Sequence, residues 1–376
     1  MENNPLKQLA AFGQSIWLDY IRRDLLTSGE LGRMIEEDGL RGMTSNPSIF
    51  EKAIVESHDY DEDIRSMALQ GTGAKEIYEA LSQHDVQSAA DTFRSLYDKT
   101  DGQDGYVSLE VNPHLAHDTD GTIKEARRLW EALNRPNVFI KVPATAEGLP
   151  AIQQLISEGI NVNVTLLFGV PRYRQVAEAY IAGLEARVAQ GKAVKHVASV
   201  ASFFVSRIDV LVDKLLNILA QGGNEADLAK GLIGQVAIAS AKLAYQSYKE
   251  LFGVVRFKNL VEAGARVQRL LWASTGTKDP AYRDVNYVEA LIGPDTVDTA
   301  PIETLDAYRD HGITKPSLEK DVAEAVRLLK RLPTIGIDLD KVTQQLEDEG
   351  VTKFNLPFDK LMETLVQKGR QYLTEK

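Results

Sequence analysis

Short runs of apolar residues alternate along this chain with longer stretches in which apolar positions recur every three or four residues. Parallel strands joined by crossover helices produce that alternation, because the strands are buried on both faces and each helix on one. Eight strands are expected, at residues 15–18, 42–44, 106–110, 138–142, 161–165, 196–200, 270–273 and 295–298. Seven of them lead into helical sequence, for example 119–133 after the third and 171–189 after the fifth. The economical topology is a closed (β/α)8 barrel of the α/β class, the TIM-barrel form. An open doubly wound sheet is the competitor, and the lack of G-x-G-x-x-G after the first strand counts against it.

Three helical, charged segments exceed a minimal barrel: 60–99, 213–265 and a tail from about 317. The second contains GGNEADLAKGLIGQVAIASAKLAYQSYKELF, whose alanine, leucine and lysine spacing suggests two helices on the outside of the barrel. The tail has apolar spacing at Val322, Ala325, Leu328 and Leu329, and a further helix is expected over 358–373. No repeat or Pro/Ser-rich linker marks a boundary. The expectation is one elaborated domain: a barrel over 1–316 with helical insertions near 60–99 and 213–265, and a helical C-terminal extension over 317–376 packed on it. A cap over the barrel and a subunit contact both suit that extension, so monomer and homodimer stay open.

With 44% hydrophobic and 26% charged residues among 376, the chain has the composition of an ordinary globular protein. Its formal net charge of −11 disfavours non-specific contact with nucleic acid or anionic lipid. There is no cysteine, which excludes disulfides, thiolate metal sites and a cysteine nucleophile. The start, MENNPLKQLAAFG, has neither a signal-peptide nor a transit-peptide pattern, and no run of about 18 apolar residues occurs. A mature N-terminus, no membrane partner and a cytoplasmic location are expected.

Against that background Lys141 stands out, since VFIKVP sets an ammonium in a strand that should be buried. Desolvation favours the neutral amine, the form that attacks a carbonyl. Taken alone, a strand-end lysine that snorkels to solvent or pairs with a carboxylate is the commoner case. The other strand ends alter that balance. Asp19 ends the first strand, Asn46 follows the second, Glu110 ends the third, and Asn163 and Thr165 end the fifth. Active sites of this fold are built at the C-terminal strand ends, so these polar groups should converge. Asn46, before Pro47, also has the makings of a helix N-cap.

WASTGTKD at 272–279 follows the seventh strand, where such barrels often hold phosphate, and Ser274, Gly276 and Lys278 suit that role. Arg207, early in the helix after the sixth strand, is a second anion contact or a partner of Asp209 or Asp213. His114 and His117 have no accompanying third ligand, so no metal is expected. GTGAK at 71–75 is too short for a nucleotide loop and should open a helix over 75–81. DYDEDI at 59–64 reads as a solvated acidic face.

SIWLDY at 15–20, MTSNPSIF at 43–50, SLEVNP at 108–113, FIKVPAT at 139–145 and INVNVTLLF at 160–168 together resemble the transaldolases. The length and WASTGTKDP are similar to the longer bacterial type. The resemblance implies transfer of a dihydroxyacetone unit between sugar phosphates, with no cofactor or metal. It implies Lys141 as Schiff-base nucleophile, Asp19 as the base for the C4 hydroxyl, and Glu110 acting through a water held with Thr165. Asn46 and Asn163 would bind substrate hydroxyls, Ser202 would sit against the lysine, and Arg207 with Ser274 would grip phosphate. Many family members have an arginine where this chain has Gly276, and Lys278 is the candidate replacement. The related fructose-6-phosphate aldolases have glutamine at the position of Glu110 and tyrosine at that of Phe204, so the aldolase reading ranks second. A non-catalytic sugar-phosphate sensor has no need of a buried amine with a carboxylate base.

Overall fold

The computed structural model describes residues 4–374, so residues 1–3 of the N-terminal stretch and 375–376 of the tail lie outside it. Among the described residues, eight parallel strands close in sequence order into a barrel. They are β1 (Gln14–Asp19), β2 (Gly42–Thr44), β3 (Tyr106–Glu110), β4 (Val138–Pro143), β5 (Val162–Leu167), β6 (Ser199–Phe204), β7 (Arg269–Ala273) and β8 (Thr296–Ala300). Every strand residue except Asp19 is buried, as a sheet covered by helices outside and filled by side chains inside requires. The (β/α)8 barrel read from the alternation is the fold observed.

The inner floor is aromatic. Tyr106 and Phe139 stack with ring centroids 4.3 Å apart, and Trp17 lies 6.2 Å from Phe139. Gly42 makes room for that indole, since a Cβ there would fall 2.5 Å from it. The rim at the amino ends of the strands is closed by charge. Arg269 donates to Asp104 at 3.0 Å and to Ser15 at 2.9 Å, while Arg41 donates to the other Asp104 oxygen at 3.0 Å. Burial alone would raise the Asp104 carboxyl, but the two guanidiniums and Ser15 hold it below its ordinary value. The floor is therefore a packed plug, and chemistry is left to the opposite end.

The extra segments are helical as expected, with three corrections. β6 runs to Phe204 instead of ending at 200, because VASVASFFV at 197–205 stays apolar or small and contains no stop signal. Ser202 is consequently a strand residue. The helix expected over 358–373 is the second half of one long helix, Leu339–Thr374, with Pro357 inside it. Its buried positions Val342, Leu346, Gly350, Phe354, Phe358, Leu361 and Leu365 keep helical spacing across the proline. The acidic run is not simply solvated: Asp59 pairs with Arg22 at 2.7 Å, Asp61 with Lys368 at 2.6 Å and Asp63 with Arg23 at 2.7 Å. GTGAK does open a helix, Ala74–Lys99. The 213–265 segment supplies the helices Val236–Gly253 and Val255–Glu262 after the short helix Ala226–Lys230. No helix among the described residues is long and apolar enough to cross a membrane.

Candidate active site

At the carboxyl ends of the strands lies a cleft of about 780 Å³, and Asp19, Asn46, Lys141, Thr165, Ser202, Arg207, Ser274 and Lys278 all line it. Glu110 and Asn163 stand beside Lys141 in the barrel wall. Strand register places them there, since Lys141 pairs with Glu110 on β3 and with Asn163 on β5. Register partners in a parallel sheet project to the same face, so the three side chains form one inward row.

Lys141 is 4% exposed and does not snorkel. Its Nζ donates to the Ser45 carbonyl at 2.9 Å and lies 3.3 Å from Glu110 Oε2. The amine thus has the carboxylate neighbour that a structural lysine would have, but at the base of a cleft. The Glu110 contact is close enough for an ion pair yet poorly aligned, and neither Glu110 oxygen has a hydrogen-bond donor within the protein. Thr165 Oγ1 is likewise buried without a partner. Burial pushes the Glu110 carboxyl up to about 7, with Lys141 pulling it down and Asp19 pushing it further up. Burial also raises Asp19, against Lys141, the Thr44 hydroxyl, Lys278 and Arg207. Asp19 accepts from Thr44 at 2.7 Å, and Thr44 in turn meets Thr299 at 2.8 Å.

Asn46 does cap the helix Pro47–Val55, its side-chain oxygen accepting from Ile49 N at 3.0 Å, which leaves its amide N–H groups for the cleft. Asn163 is held from both ends: it donates to Ser108 at 3.0 Å and accepts from Ser202 at 2.7 Å. Next to it β5 is irregular, with a register shift between Val164 and Leu167 and Leu166 at φ 54°. Bulges of this kind re-aim side chains beside active sites, and here the affected neighbour is Thr165.

The outer cleft is cationic. Arg22, Lys52, Arg207, Lys278 and Lys353, with Lys141 at the base, line the cleft against Asp19, Glu56 and Glu303, a local excess of positive charge in a chain of net charge −11. Arg207 does not pair with the aspartates of its own helix, Ser206–Leu219. Asp209 accepts from Ala237 N and Tyr287, and Asp213 from Gly234 N and Tyr282. The guanidinium instead lies 5.6 Å from the Phe204 ring centroid, lowered from its ordinary value by burial. Ser274, at φ 55°, is a strained non-glycine residue whose hydroxyl meets that of Ser206 at 3.0 Å. At Gly276 an added Cβ would lie 3.2 Å from Pro301 and 3.6 Å from Lys278 Nζ. The Lys278 ammonium therefore lies within van der Waals reach of the point where a side chain at 276 would begin.

Among the described residues no three His, Asp or Glu side chains are placed to hold a metal ion. His114 pairs with Asp359 at 2.7 Å and His117 with Glu147 at 3.1 Å. Thr44, Lys52, Glu303, Lys353 and Phe354 also line the cleft without having been singled out from sequence. Thr44 begins the TSNP motif, a readable signal, whereas Phe354 continues the apolar spacing of Val342 and Leu346, which marks it only as buried. Lys52, Glu303 and Lys353 are ordinary helix-surface residues in sequence, and in the fold they stay exposed, brought to the rim of the cleft by the packing of their helices.

A buried lysine beside a carboxylate, at the C-terminal mouth of a closed parallel barrel with a cationic rim, is a site able to support attack of an amine on a carbonyl. Residues 16–365 match the family model described as Transaldolase/Fructose-6-phosphate aldolase. The protein named "Transaldolase 2" of Nostoc punctiforme is 49% identical over 375 residues, covering 98% of each chain. "Transaldolase" of Trichodesmium erythraeum is 48% identical over 376 residues, 99% of each, and that of Saccharopolyspora erythraea 47% over 364, covering 96% of this chain and 97% of its own. The chain belongs to the transaldolase/fructose-6-phosphate aldolase family.

Proposed function

We propose that this chain is a transaldolase of the non-oxidative pentose phosphate pathway. It moves a dihydroxyacetone unit from sedoheptulose 7-phosphate or fructose 6-phosphate to glyceraldehyde 3-phosphate or erythrose 4-phosphate. The observation that carries the reading is the Lys141 amine, buried at the base of the cleft 3.3 Å from a carboxyl whose affinity for protons is raised to about 7. Such a carboxyl can take the ammonium proton and release a nucleophilic amine near neutral pH.

In this reading the amine adds to the C2 carbonyl, and Glu110 and Thr165, whose oxygens lack protein partners, handle the water that leaves as the imine forms. Asp19 then accepts the C4 hydroxyl proton. The C3–C4 bond breaks, its electrons pass into the protonated imine, and an enamine of three carbons stays on Lys141. The aldose phosphate departs and an acceptor aldehyde replaces it. C3 attacks that carbonyl, Asp19 returns the proton to the new hydroxyl, and hydrolysis frees the ketose. Asn46 and the second N–H of Asn163 bind the hydroxyls of the three-carbon unit, while Ser202 holds Asn163 in place beside the lysine. Arg207, Ser274 and Lys278 take the phosphate, whose binding orients the reacting bond from a distance. The substrates are phosphorylated sugars retained in the cytoplasm, which is where the reading locates the enzyme.

Exchange between fructose 6-phosphate and erythrose 4-phosphate tests the reading. Sedoheptulose 7-phosphate is expected in step with glyceraldehyde 3-phosphate. Free dihydroxyacetone in its place would assign the chain to the aldolase side of its family.

A further inference from the structure

The long C-terminal helix Leu339–Thr374 crosses the mouth of the barrel and brings Phe354 to the lysine: the ring centroid lies 6.0 Å from Lys141 Nζ, and the residue is 4% exposed. The contact is built rather than incidental. Gly350, one turn earlier, lets the helix approach the end of β5 so closely that a Cβ would stand 3.0 Å from Leu166. A Cβ on Gly169 would stand 2.8 Å from the Thr343 hydroxyl, and Arg172 pairs with the buried Glu347 at 3.2 Å. The helix is thereby seated over β5 at three successive turns, with Phe354 at the cleft.

We propose that Phe354 is a specificity-determining residue that shields the lysine-bound intermediate from water and so favours transfer over hydrolytic release. The proposal rests on the reading of Lys141 as the Schiff-base lysine. An enamine on Lys141 has two fates. Its C3 either attacks an acceptor aldehyde or takes a proton from water, after which water adds to the imine carbon and dihydroxyacetone leaves with the amine restored. An apolar ring against the amine keeps bulk water from both positions of the second route. Its face also attracts the imine cation at Nζ, which lies at the outer limit of cation–π range.

The test compares Phe354→Ala and Phe354→Leu with the parent protein by two readouts. One is borohydride trapping of the three-carbon adduct, and the other is the ratio of released dihydroxyacetone to product transferred onto erythrose 4-phosphate. Phe354→Ala is expected to trap on Lys141 as the parent does, with the release ratio raised about tenfold, the effect of losing a desolvated cation–π contact together with the water barrier. Phe354→Leu should restore most of the parent ratio. Gly350→Val, whose branched side chain would crowd Leu166 and Phe168 and loosen the seating of the helix while keeping the ring, should raise the ratio as well and serves if Phe354→Ala does not fold. A folded Phe354→Ala protein with the parent ratio, or equal losses of release and transfer in both Phe354 variants, would overturn the proposal while leaving the Schiff-base reading intact. A parent protein that gives no Lys141 adduct would sink both.

Discussion

Lys141 Nζ lies 3.3 Å from Glu110 Oε2 because the two residues are register partners on adjacent parallel strands, both projecting into the barrel above an aromatic floor. The pair is isolated from solvent on that side, and Lys141 pulls down a Glu110 carboxyl that burial pushes up. In the proposed mechanism this arrangement sets the pH dependence.

The proposed mechanism requires Glu110 ionised, so that it can take the proton that frees the Lys141 amine. Its carboxyl is raised from 4.5 to about 7, so the ionised fraction falls as pH drops through 7. The kcat/KM profile should therefore decline on the acid side with an apparent pKa near 7, about tenfold per pH unit below it. In Glu110→Gln that limb should disappear along with most of the activity. A profile flat down to pH 5 in the parent protein would contradict the assignment.

Asp19 lines the same cleft, electrostatically coupled to both members of this pair, and is assigned to carbon–carbon cleavage, not to imine formation. Asp19→Asn should lower kcat on the order of 10²–10⁴-fold, the usual range for a general base. The imine with the intact ketose should still form and be trapped by borohydride as a six-carbon adduct from fructose 6-phosphate. Loss of trapping in this variant would place Asp19 in the earlier step.

At the phosphate end, Arg207→Ala and Lys278→Ala should each raise KM for fructose 6-phosphate by about 10–100-fold, from loss of a hydrogen bond to a charged group. Neither should impair the reaction of unphosphorylated dihydroxyacetone with Lys141. Because Lys278 Nζ lies 3.6 Å from the position a Gly276 Cβ would take, Gly276→Arg with Lys278→Ala is expected to recover affinity if Pro301 can yield. Lys278→Ala with an unchanged KM would remove Lys278 from the phosphate site.

The barrel was legible because its signal is repeated: eight buried runs separated by helical sequence leave few other topologies. The convergence of the strand-end polar groups on one cleft was legible for the same reason that made Lys141 awkward, since polar groups at strand ends are costly unless they meet. What sequence did not convey is how the extension lies. Phe354 has the spacing of any buried helix residue, and nothing local to it says that its ring ends 6.0 Å from a lysine more than two hundred positions earlier. The end of β6 was illegible because VASVASFFV carries no boundary, and the occupation of Asn163 by Ser108 and Ser202 depends on register alone.

Asp298 offers a prediction outside the chemistry. It is buried in β8, one oxygen accepts from Thr275 at 2.8 Å, the other has no partner, and burial raises the carboxyl from 3.8 to about 7. Between those values the folded protein holds a proton that the unfolded chain releases, so stability falls as pH rises from about 4 to about 7, by roughly 1.4 kcal/mol per unit from this group. Asp298→Asn should remove that component and melt higher than the parent at pH 8. A lower melting temperature for the variant at pH 8 would show that the ionised carboxylate is stabilised in the fold.

The most direct measurement is borohydride reduction in the presence of fructose 6-phosphate, followed by peptide mass mapping. A three-carbon adduct on the peptide containing Lys141 is predicted, absent in Lys141→Met. An adduct on a different lysine, or none on a protein shown to be folded, would contradict the account.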